Sequence, residues 1–339
     1  MGRPSSLGSP FATSPEGEAS LAPYTREMDE LAGGIRRVTT PLPMRPGHVH
    51  SYLLPGDDGW TLVDTGIGLP EAREHWTTEL AELEGPIARI FVTHFHPDHV
   101  GAAADLAELT GAQVIQGELD LFQCRLVWGS DDWPERLTDW FRRHGVPPGV
   151  TDELIAQGTY YRPFIRYHEN PALVAPGDDV GGWLVVAAPG HADGQLCLLR
   201  DGVLVAADHL LDPITPTVGL WPESRPDPLG DYLAALTATA ELEPRLALPG
   251  HGEPIEDPVG RARELIAHHA ERLTATEDAL GPEPQTGYQL SFALFGAELK
   301  PAARRFAVAE TLSHLERLVL EGGATRHEDS GGVSYTGTQ

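Results

Sequence analysis

Three histidines and one aspartate lie within six residues of the sequence, in the order His94-Phe95-His96-Pro97-Asp98-His99. Neutral imidazoles and carboxylates are ligands that Zn²⁺ accepts, and such a density of them is hard to explain by packing. Pro97 stops a helix from running through the segment, so the backbone must turn and the side chains can converge. The segment therefore predicts a metal-binding loop, with solvated loop histidines as the plainer alternative.

Three further candidate ligands follow short apolar runs elsewhere in the chain. His191 lies in a turn between Gly190 and Gly194, Asp208 follows the run 204–207, and His251 lies in the sequence Pro-Gly-His-Gly. Any one of them alone would ordinarily be a surface residue. Because the carboxyl ends of strands gather at one edge of an α/β sheet, their shared placement predicts that they join the first cluster.

The elements that must position these residues alternate between strands and helices. Short apolar runs predict strands at 60–66, 89–92, 112–116, 183–187, 195–199, 203–207 and 245–248. Helical spacing of apolar residues predicts helices at 70–83, 99–109, 228–242, 258–280, 290–295 and 302–320. This order favours a layered α/β architecture.

Other segments do not fit the alternating pattern. Residues 118–172 are rich in aromatic residues and prolines and predict a mostly helical insertion. This insertion is expected to be either a lid or the surface through which a homodimer forms. We expect a flexible N-terminal arm at 1–33, a main domain at 34–257, a small C-terminal domain at 258–325 and a flexible tail at 326–339.

Composition excludes several classes of function. The 339 residues include 24 basic and 50 acidic side chains, a formal net charge of −26, which argues against a nucleic-acid partner. No apolar run approaches the roughly 18 residues of a membrane span. The first 33 residues lack the pattern of a secretory signal, and two cysteines, Cys124 and Cys197, cannot form a disulfide framework. A cytoplasmic location is the expectation.

The motifs resemble those of a known family. The segment from Thr93 to Gly101 is similar to the signature of the metallo-β-lactamase superfamily, and four other segments resemble that family's further motifs in order. These are 62–66, the Pro-Gly-His turn at His191, 207–208 and 249–252. The resemblance covers about residues 34–257. It implies a four-layer αββα sandwich, here with a helical insertion and a small helical or winged-helix-like C-terminal domain.

The resemblance also implies a dinuclear metal site. By it, His94, His96 and His191 would hold one metal, Asp98, His99 and His251 the other, and Asp208 would bridge both. Asp64 would support the site from behind the ligands, and Asp98 and Asp208 would be the carboxylates that serve catalysis. Two Zn²⁺ ions are the expected cofactors, with iron or manganese as alternatives. True β-lactamases of this fold commonly carry Cys at the position of Asp208, so the set is more similar to the glyoxalase II, lactonase and nuclease branches.

Such a site predicts hydrolysis. A water shared by two cations loses a proton near neutral pH and can attack a carbonyl carbon as hydroxide. A thiolate or alkoxide leaves with little protonation, so the expected substrate is a small acyl compound, a thioester or a related carboxylic ester. A lactonase or amidohydrolase would differ only in its pocket. A phosphodiesterase or nuclease is disfavoured by the charge. The alternative from another class of enzyme is a sulfur dioxygenase. In it, one iron would be held by His94, His96 or His191 with Asp208.

The substrate pocket is less well defined by sequence. Tyr160, Tyr161 and Arg162 in the insertion are candidates to close over an acyl group, although they could equally pack the insertion onto the core. The segment after Asp208, including Trp221, is expected to form an apolar wall that favours a hydrophobic acyl group.

Overall fold

A computed structural model describes residues 28–338, apart from the side chain of Gln157. The strands are β1 (Met28–Glu30), β2 (Arg36–Pro41), β3 (His48–Gly56), β4 (Gly59–Val63), β5 (Ile87–Val92), β6 (Gln113–Gly117), β7 (Ala172–Val174), β8 (Asp179–Val180), β9 (Trp183–Ala187), β10 (Leu196–Arg200), β11 (Val203–Ala207), β12 (Leu246–Pro249), β13 (Ala324–Asp329) and β14 (Gly332–Gly337). The α-helices are α1 (Ala72–Leu80), α2 (Pro97–Val100), α3 (Ala103–Thr110), α4 (Glu118–Val127), α5 (Trp133–Arg143), α6 (Pro148–Tyr161), α7 (Pro228–Glu241), α8 (Pro258–Ala279), α9 (Gly287–Phe295) and α10 (Pro301–Glu321).

The described strands form two large sheets and one hairpin. The first sheet has seven strands in sequence order, β1 to β7, with antiparallel pairs up to β4 and parallel pairs from β4 to β7. The second has five strands in the order β12-β11-β10-β9-β8, in which only β11 and β12 are parallel. The hairpin pairs β13 with β14.

Three buried apolar clusters separate the layers. Alternate residues of β5 face opposite sides of the first sheet, so Ile90 packs toward the helices while Phe91 packs toward the second sheet. In the second sheet, Val205 faces the first sheet and Leu204 packs with Leu236 of α7. Apolar contact on both faces of both sheets gives the order helix, sheet, sheet, helix. The predicted αββα sandwich is therefore confirmed.

Parallel strand directions bring five chain segments to one edge of the sandwich. The loops after β4, β5, β9, β11 and β12 emerge there, because β9 and β11 are both antiparallel to β10 and so run the same way. Hydrogen bonds join the two sheets at this edge: the amide of Leu196 donates to the carbonyl of Thr93 (3.0 Å), and the amide of His50 donates to the carbonyl of Gly250 (2.8 Å).

Two helices of the second outer layer begin with the same local signal. The side chains of Asp227 and Asp257 each accept a hydrogen bond from the backbone amide three residues later, and a proline follows each aspartate as the first helical residue. The cap satisfies one of the free amides at the helix start, and the proline has no amide that would need a partner. Sequence alone therefore defines where α7 and α8 begin.

The insertion and the C-terminal helices share one core. Phe141 of α5 and Leu154 of α6 belong to the same buried cluster as Val308 and Leu312 of α10. Residues 118–172 thus contain three helices, and α5 and α6 lie against the C-terminal segment of the same chain. Across residues 28–338, no helix combines the length and apolar character required to cross a bilayer.

Both predicted flexible ends need correction where the structure describes them. Residues 28–30 of the expected arm form β1, which pairs with β2, whereas residues 1–27 lie outside the described part. Residues 326–337 of the expected tail form most of the β13–β14 hairpin. Val333 and Tyr335 are buried there, and the Tyr335 hydroxyl donates to Glu316 of α10 (2.6 Å). Burial of these two side chains offsets the entropy cost of ordering the terminus.

Leu312→Ala should lower the free energy of unfolding by about 2–5 kcal/mol, because Leu312 is fully buried and its removal leaves a cavity. The control is Leu320→Ala on the same helix, where the side chain is 64% exposed and little should change. Equilibrium unfolding in urea of the full-length chain measures both. Equal losses in the two variants would contradict the assignment of α10 to the core.

Candidate metal centre

The loops at the common edge carry all seven candidate ligands. His94 and His96 follow β5, His191 follows β9, Asp208 follows β11, and His251 follows β12. Asp98 and His99 lie in the first turn of α2, which begins at Pro97. Proline suits that first helical position because its missing amide would have no partner there. The turn expected at Pro97 is thus the start of a helix that directs two further side chains toward the loops.

The donor atoms form overlapping groups. Within each group the ligand atoms lie no more than 4.8 Å apart, which is a spacing that one bound ion can span. The groups are His94 with His96 and His191, His94 with His99 and Asp208, and Asp98 with His99 and His251. The structure therefore brings together the two predicted triads.

Asp208 lies between the two triads. Its Oδ1 is 3.4 Å from Nε2 of His99, and its Oδ2 is 3.4 Å from Nε2 of both His191 and His251. Asp98 approaches the second triad only, with Oδ2 at 3.4 Å from Nε2 of His251. One carboxylate is shared and one is not, which is the geometry expected of a bridging ligand and a terminal ligand.

Acceptors outside the cluster fix the orientation of four imidazoles. An acceptor at Nδ1 keeps the proton on that nitrogen and leaves the Nε2 lone pair for a metal. The four contacts are His94 Nδ1 to Thr93 Oγ1 (2.9 Å), His99 Nδ1 to Asp64 Oδ2 (2.8 Å), His191 Nδ1 to the Thr217 carbonyl (2.8 Å) and His251 Nδ1 to the His48 carbonyl (2.7 Å). His96 instead presents Nδ1 to the cluster, 2.8 Å from Nε2 of His191.

Asp64 supports the cluster from beneath. Its carboxylate accepts hydrogen bonds from the amide and the hydroxyl of Thr93 (both 2.8 Å) and from Nδ1 of His99. Because the Thr93 hydroxyl donates to Asp64, it accepts from His94. One buried carboxylate thus orients an imidazole of each triad, the role predicted for Asp64.

The residues present fit a pair of divalent cations. Nε2 of His94 is buried and has no hydrogen-bond partner among the described residues, and the buried Nε2 of His99 and Oδ1 of Asp208 lie 3.4 Å apart without a hydrogen bond. A buried polar atom without a partner costs about 1–3 kcal/mol, so several in one place indicate a missing ligand. Imidazole nitrogens with carboxylate oxygens suit zinc, iron or manganese and leave the choice among them open.

Burial and neighbouring charges divide the imidazoles into two kinds. Burial, together with the adjacent imidazoles, lowers the pKa of His94 well below its usual value. Burial acts in the same direction on His251, but the Asp208 carboxylate outweighs it and raises the pKa of His251 to about 10. The pKa of His99 is likewise raised against burial by the carboxylates of Asp208 and Asp64. Before metal binds, the second triad therefore holds protons that a cation must displace.

Backbone conformation at the cluster leaves little room for other residues. Asp64 and Ala207 adopt positive φ angles of 59° and 44°, which non-glycine residues rarely do. A Cβ at Gly250 would collide with Oδ1 of Asp208. Glycine at position 250 is therefore a requirement of close approach between the β11 and β12 loops.

The predicted pocket residues separate into two groups. The guanidinium of Arg162 donates to the carbonyls of Val127 and Ser130 and so ties the end of α4 to the end of α6 within the insertion. Tyr160 is 66% exposed and makes ring contacts with Tyr161 and Phe164. None of those contacts involves a residue of the metal-ligand cluster, so none of them places Tyr160, Tyr161 or Arg162 at the site. Their assignment to the pocket remains a prediction without geometric support.

Trp221 lies on the chain segment that orients His191. This segment, 217–225, starts with the Thr217 carbonyl that His191 contacts, and its Leu220 amide donates to Ala309 of α10 (3.0 Å). The Trp221 ring stacks on Trp140 of the insertion, with centroids 5.9 Å apart. An aromatic wall is therefore built by the insertion and the segment 217–225, and the Thr217 carbonyl joins this segment to His191 of the first triad.

Sequence reasoning missed the acceptors that hold the imidazoles. Thr93 adjoins the motif and could have been suspected from its hydroxyl. The carbonyls of Thr217 and His48 carry no residue signature, since every residue has a carbonyl. Their roles depend only on where the tertiary structure places them.

Comparison with known proteins identifies relatives for most of the described region. The model of the metallo-beta-lactamase superfamily matches residues 44–251, and that of the metallo-beta-lactamase-like C-terminal domain matches 273–336. A crystal structure of a metallo-beta-lactamase family protein from Thermus thermophilus is 35% identical, with a TM-score of 0.79, and the match covers 90% of this chain and 99% of that one.

Two curated relatives are similar over most of their length. The probable metallo-hydrolase YqjP of Bacillus subtilis is 27% identical over 316 residues, which cover 88% of this chain and 96% of the relative. An atrochrysone carboxyl ACP thioesterase of Cryptosporiopsis is 20% identical over 339 aligned residues, which cover 94% of this chain and 89% of the relative.

Asp64→Asn should lower the affinity for zinc by about 10- to 100-fold, because an amide has one acceptor oxygen in place of the two that accept three donors from Thr93 and His99. Isothermal titration of the metal-free protein with Zn²⁺ measures this. Asp201→Asn is the matched control, since Asp201 also has a positive φ (50°) but lies on a surface turn with a 91% exposed side chain. Equal affinities in the two variants would contradict the supporting role of Asp64.

Metal uptake should release protons at pH 7, because the raised pKa values of His99 and His251 leave both imidazoles protonated in the metal-free protein. Apparent affinity should therefore fall as the pH is lowered. Calorimetric titrations in buffers of different ionisation enthalpy give the number of protons released on zinc binding. The His251→Gln variant should release about one proton fewer than the unsubstituted protein. Zinc binding without proton release would rule out this charge arrangement.

Proposed function

The chain belongs to the metallo-beta-lactamase superfamily, and from that premise we propose that it hydrolyses a thioester or a related carboxylic ester at a dinuclear metal centre. Membership supports the coarser statement that it is a metal-dependent hydrolase. The choice of ester is argued from the residues around the centre.

The observation that carries the proposal is the position of Asp208 between two complete triads. When bound, two cations would supply hydroxide from water near neutral pH and an electrophile for the carbonyl oxygen. The chain's own contribution is to hold the two triads at a fixed separation through the Asp208 carboxylate. The acceptors Asp64, Thr93, Thr217 and His48 hold the imidazoles so that little reorganisation is needed during reaction.

The cluster supports a leaving group that departs without a proton. Each of four imidazoles has its Nδ1 committed to an acceptor and its Nε2 directed toward the cluster. Once metal is bound at Nε2, the one remaining ring proton of each imidazole is held by its acceptor at Nδ1. None of these four rings can therefore donate a proton to a leaving group. A thiolate leaves readily as an anion, whereas an amine does not, which favours a thioester over an amide.

The wall beside the first triad suits an acyl group. Trp221 contacts both Trp140 and Phe306, with ring centroids 5.9 Å apart in each pair. Apolar lining with few polar groups is typical of sites for organic ligands. The net charge of −26 disfavours a nucleic acid in the same place. The name of the similar fungal thioesterase agrees with this choice and does not fix the substrate.

The test is a substrate panel on zinc-loaded protein. Thioesters should be turned over faster than lactones, β-lactams, amides and phosphodiesters of comparable size. Lactones hydrolysed in preference would favour the lactonase alternative. Oxygen uptake with a persulfide by an iron-loaded protein would overturn hydrolysis altogether.

Asp208→Ala should reduce thioester turnover by on the order of 10³-fold or more, because it removes the contact shared by both triads. Zinc content per chain, measured by mass spectrometry, should fall with it. His327→Ala is the control, since His327 lies on the exposed side of the C-terminal hairpin and bonds only Thr336. Unchanged turnover in the Asp208 variant would refute the site.

A further inference from the structure

A polar pair lies within the aromatic wall described above. Arg305 extends from α10, and Glu223 extends from the segment 217–225. Both side chains are half-buried, as are Trp221 and Phe306 next to them, so a ligand can reach them from solvent. We propose that Arg305 and Glu223 form a subsite for a carboxylate group on the substrate, and this proposal rests on the function proposed above.

Arg305 is held in place without a counter-ion. Its guanidinium carbon lies 5.2 Å from the ring centroids of both Trp221 and Phe306. Its Nε is buried without a hydrogen-bond partner, and among the described side chains, which exclude that of Gln157, the guanidinium makes neither an ion pair nor a hydrogen bond. Aromatic faces stabilise a guanidinium while leaving its donor edge free. A planar fork of donors in this state is suited to a carboxylate.

The guanidinium lies close to the backbone of the insertion as well as to the aromatic rings. A Cβ built at Gly158 of α6 would lie 2.9 Å from an Nη atom of Arg305. The end of the side chain therefore lies between α6 and the rings of Trp221 and Phe306.

Glu223 provides a second group, with one of its carboxyl oxygens unpaired. Its Oε2 is buried and has no hydrogen-bond partner among the described residues. Burial raises the pKa of Glu223 to about 8, with the nearby Asp193 acting in the same direction and Arg305 against it. The carboxyl is therefore largely protonated at pH 7 and can donate an O–H to an anion. A cation and a neutral acid that do not pair with each other leave a place for a carboxylate between them.

The subsite adjoins the metal centre on the side of His191. Asp193, two residues after His191, accepts a hydrogen bond from the Arg225 amide (2.7 Å), and this joins the His191 turn to the loop that carries Glu223. The same loop supplies the Thr217 carbonyl to His191. A substrate carboxylate bound here would place the rest of the molecule toward the first triad. The carboxylate belongs either to the acyl group or to the thiol that leaves.

Paired substrates separate these two sources. Glutaryl and pentanoyl thioesters of N-acetylcysteamine differ only in a carboxylate on the acyl group, and pentanoyl glutathione places carboxylates on the thiol. Arg305→Gln should raise KM for one carboxylate-bearing thioester by about tenfold or more while kcat and the neutral substrate change little. The substrate that responds identifies the source. A uniform loss on all three substrates, or no change on any, would overturn the subsite.

A binding experiment tests the carboxylate subsite without requiring that the protein hydrolyses thioesters. Glutarate and S-methylglutathione are titrated into the zinc-loaded protein by calorimetry, with tryptophan fluorescence as a second signal because Trp221 lies against Arg305. Binding of one of them should weaken about tenfold or more in Arg305→Gln and less in Arg305→Lys. Arg166→Gln is the control, since Arg166 is an exposed arginine already paired with Glu108. Binding that does not depend on Arg305 would refute the proposed subsite. Binding that depends on Arg305 in a protein that does not hydrolyse thioesters would refute only the proposed function.

Discussion

The buried carboxylate of Asp64 is the interaction on which the rest of the site depends. It joins the loop after β4 to the loop after β5 through Thr93, and it joins both to α2 through His99. Because three donors converge on one carboxylate, a shift of any of these elements would leave a buried charge partly unpaired, which is costly. The positive φ of Asp64 is maintained by the same contacts. The orientation of one imidazole in each triad follows from this single residue.

Burial of so many ionisable groups at one edge is tolerable only in a balanced arrangement. Asp98 and Asp208 lie against His99 and His251, and these imidazoles hold the pKa of Asp98 at about 2 in spite of burial. The protons that achieve this balance are the ones that cations would replace. Metal binding and folding of the five loops are therefore coupled, as is usual where ligands come from distant parts of a chain.

The insertion and the C-terminal helices do more than cover the sandwich. α10 binds the segment 217–225 through the Ala309 carbonyl and through Ser313, whose hydroxyl donates to the Val218 carbonyl (2.6 Å). That segment in turn orients His191. The wall of the proposed pocket and one ligand of the first triad thus depend on α10, which lies in a distant part of the sequence. A pocket assembled in this way can change its specificity without any change in the metal ligands.

The sequence by itself determined the fold class, the central strands and the set of seven residues that meet, because these depend on local periodicity and on short motifs placed at strand ends. It did not reveal β1 to β3 before Gly59, where polar residues such as His48 and Ser51 obscure the alternation, nor the C-terminal hairpin. Only the tertiary structure decided which carbonyls orient His191 and His251, and that Arg305 lies against the rings of Trp221 and Phe306. Those contacts join residues far apart in the chain, and their distances are set by the packing of layers, which no local pattern encodes.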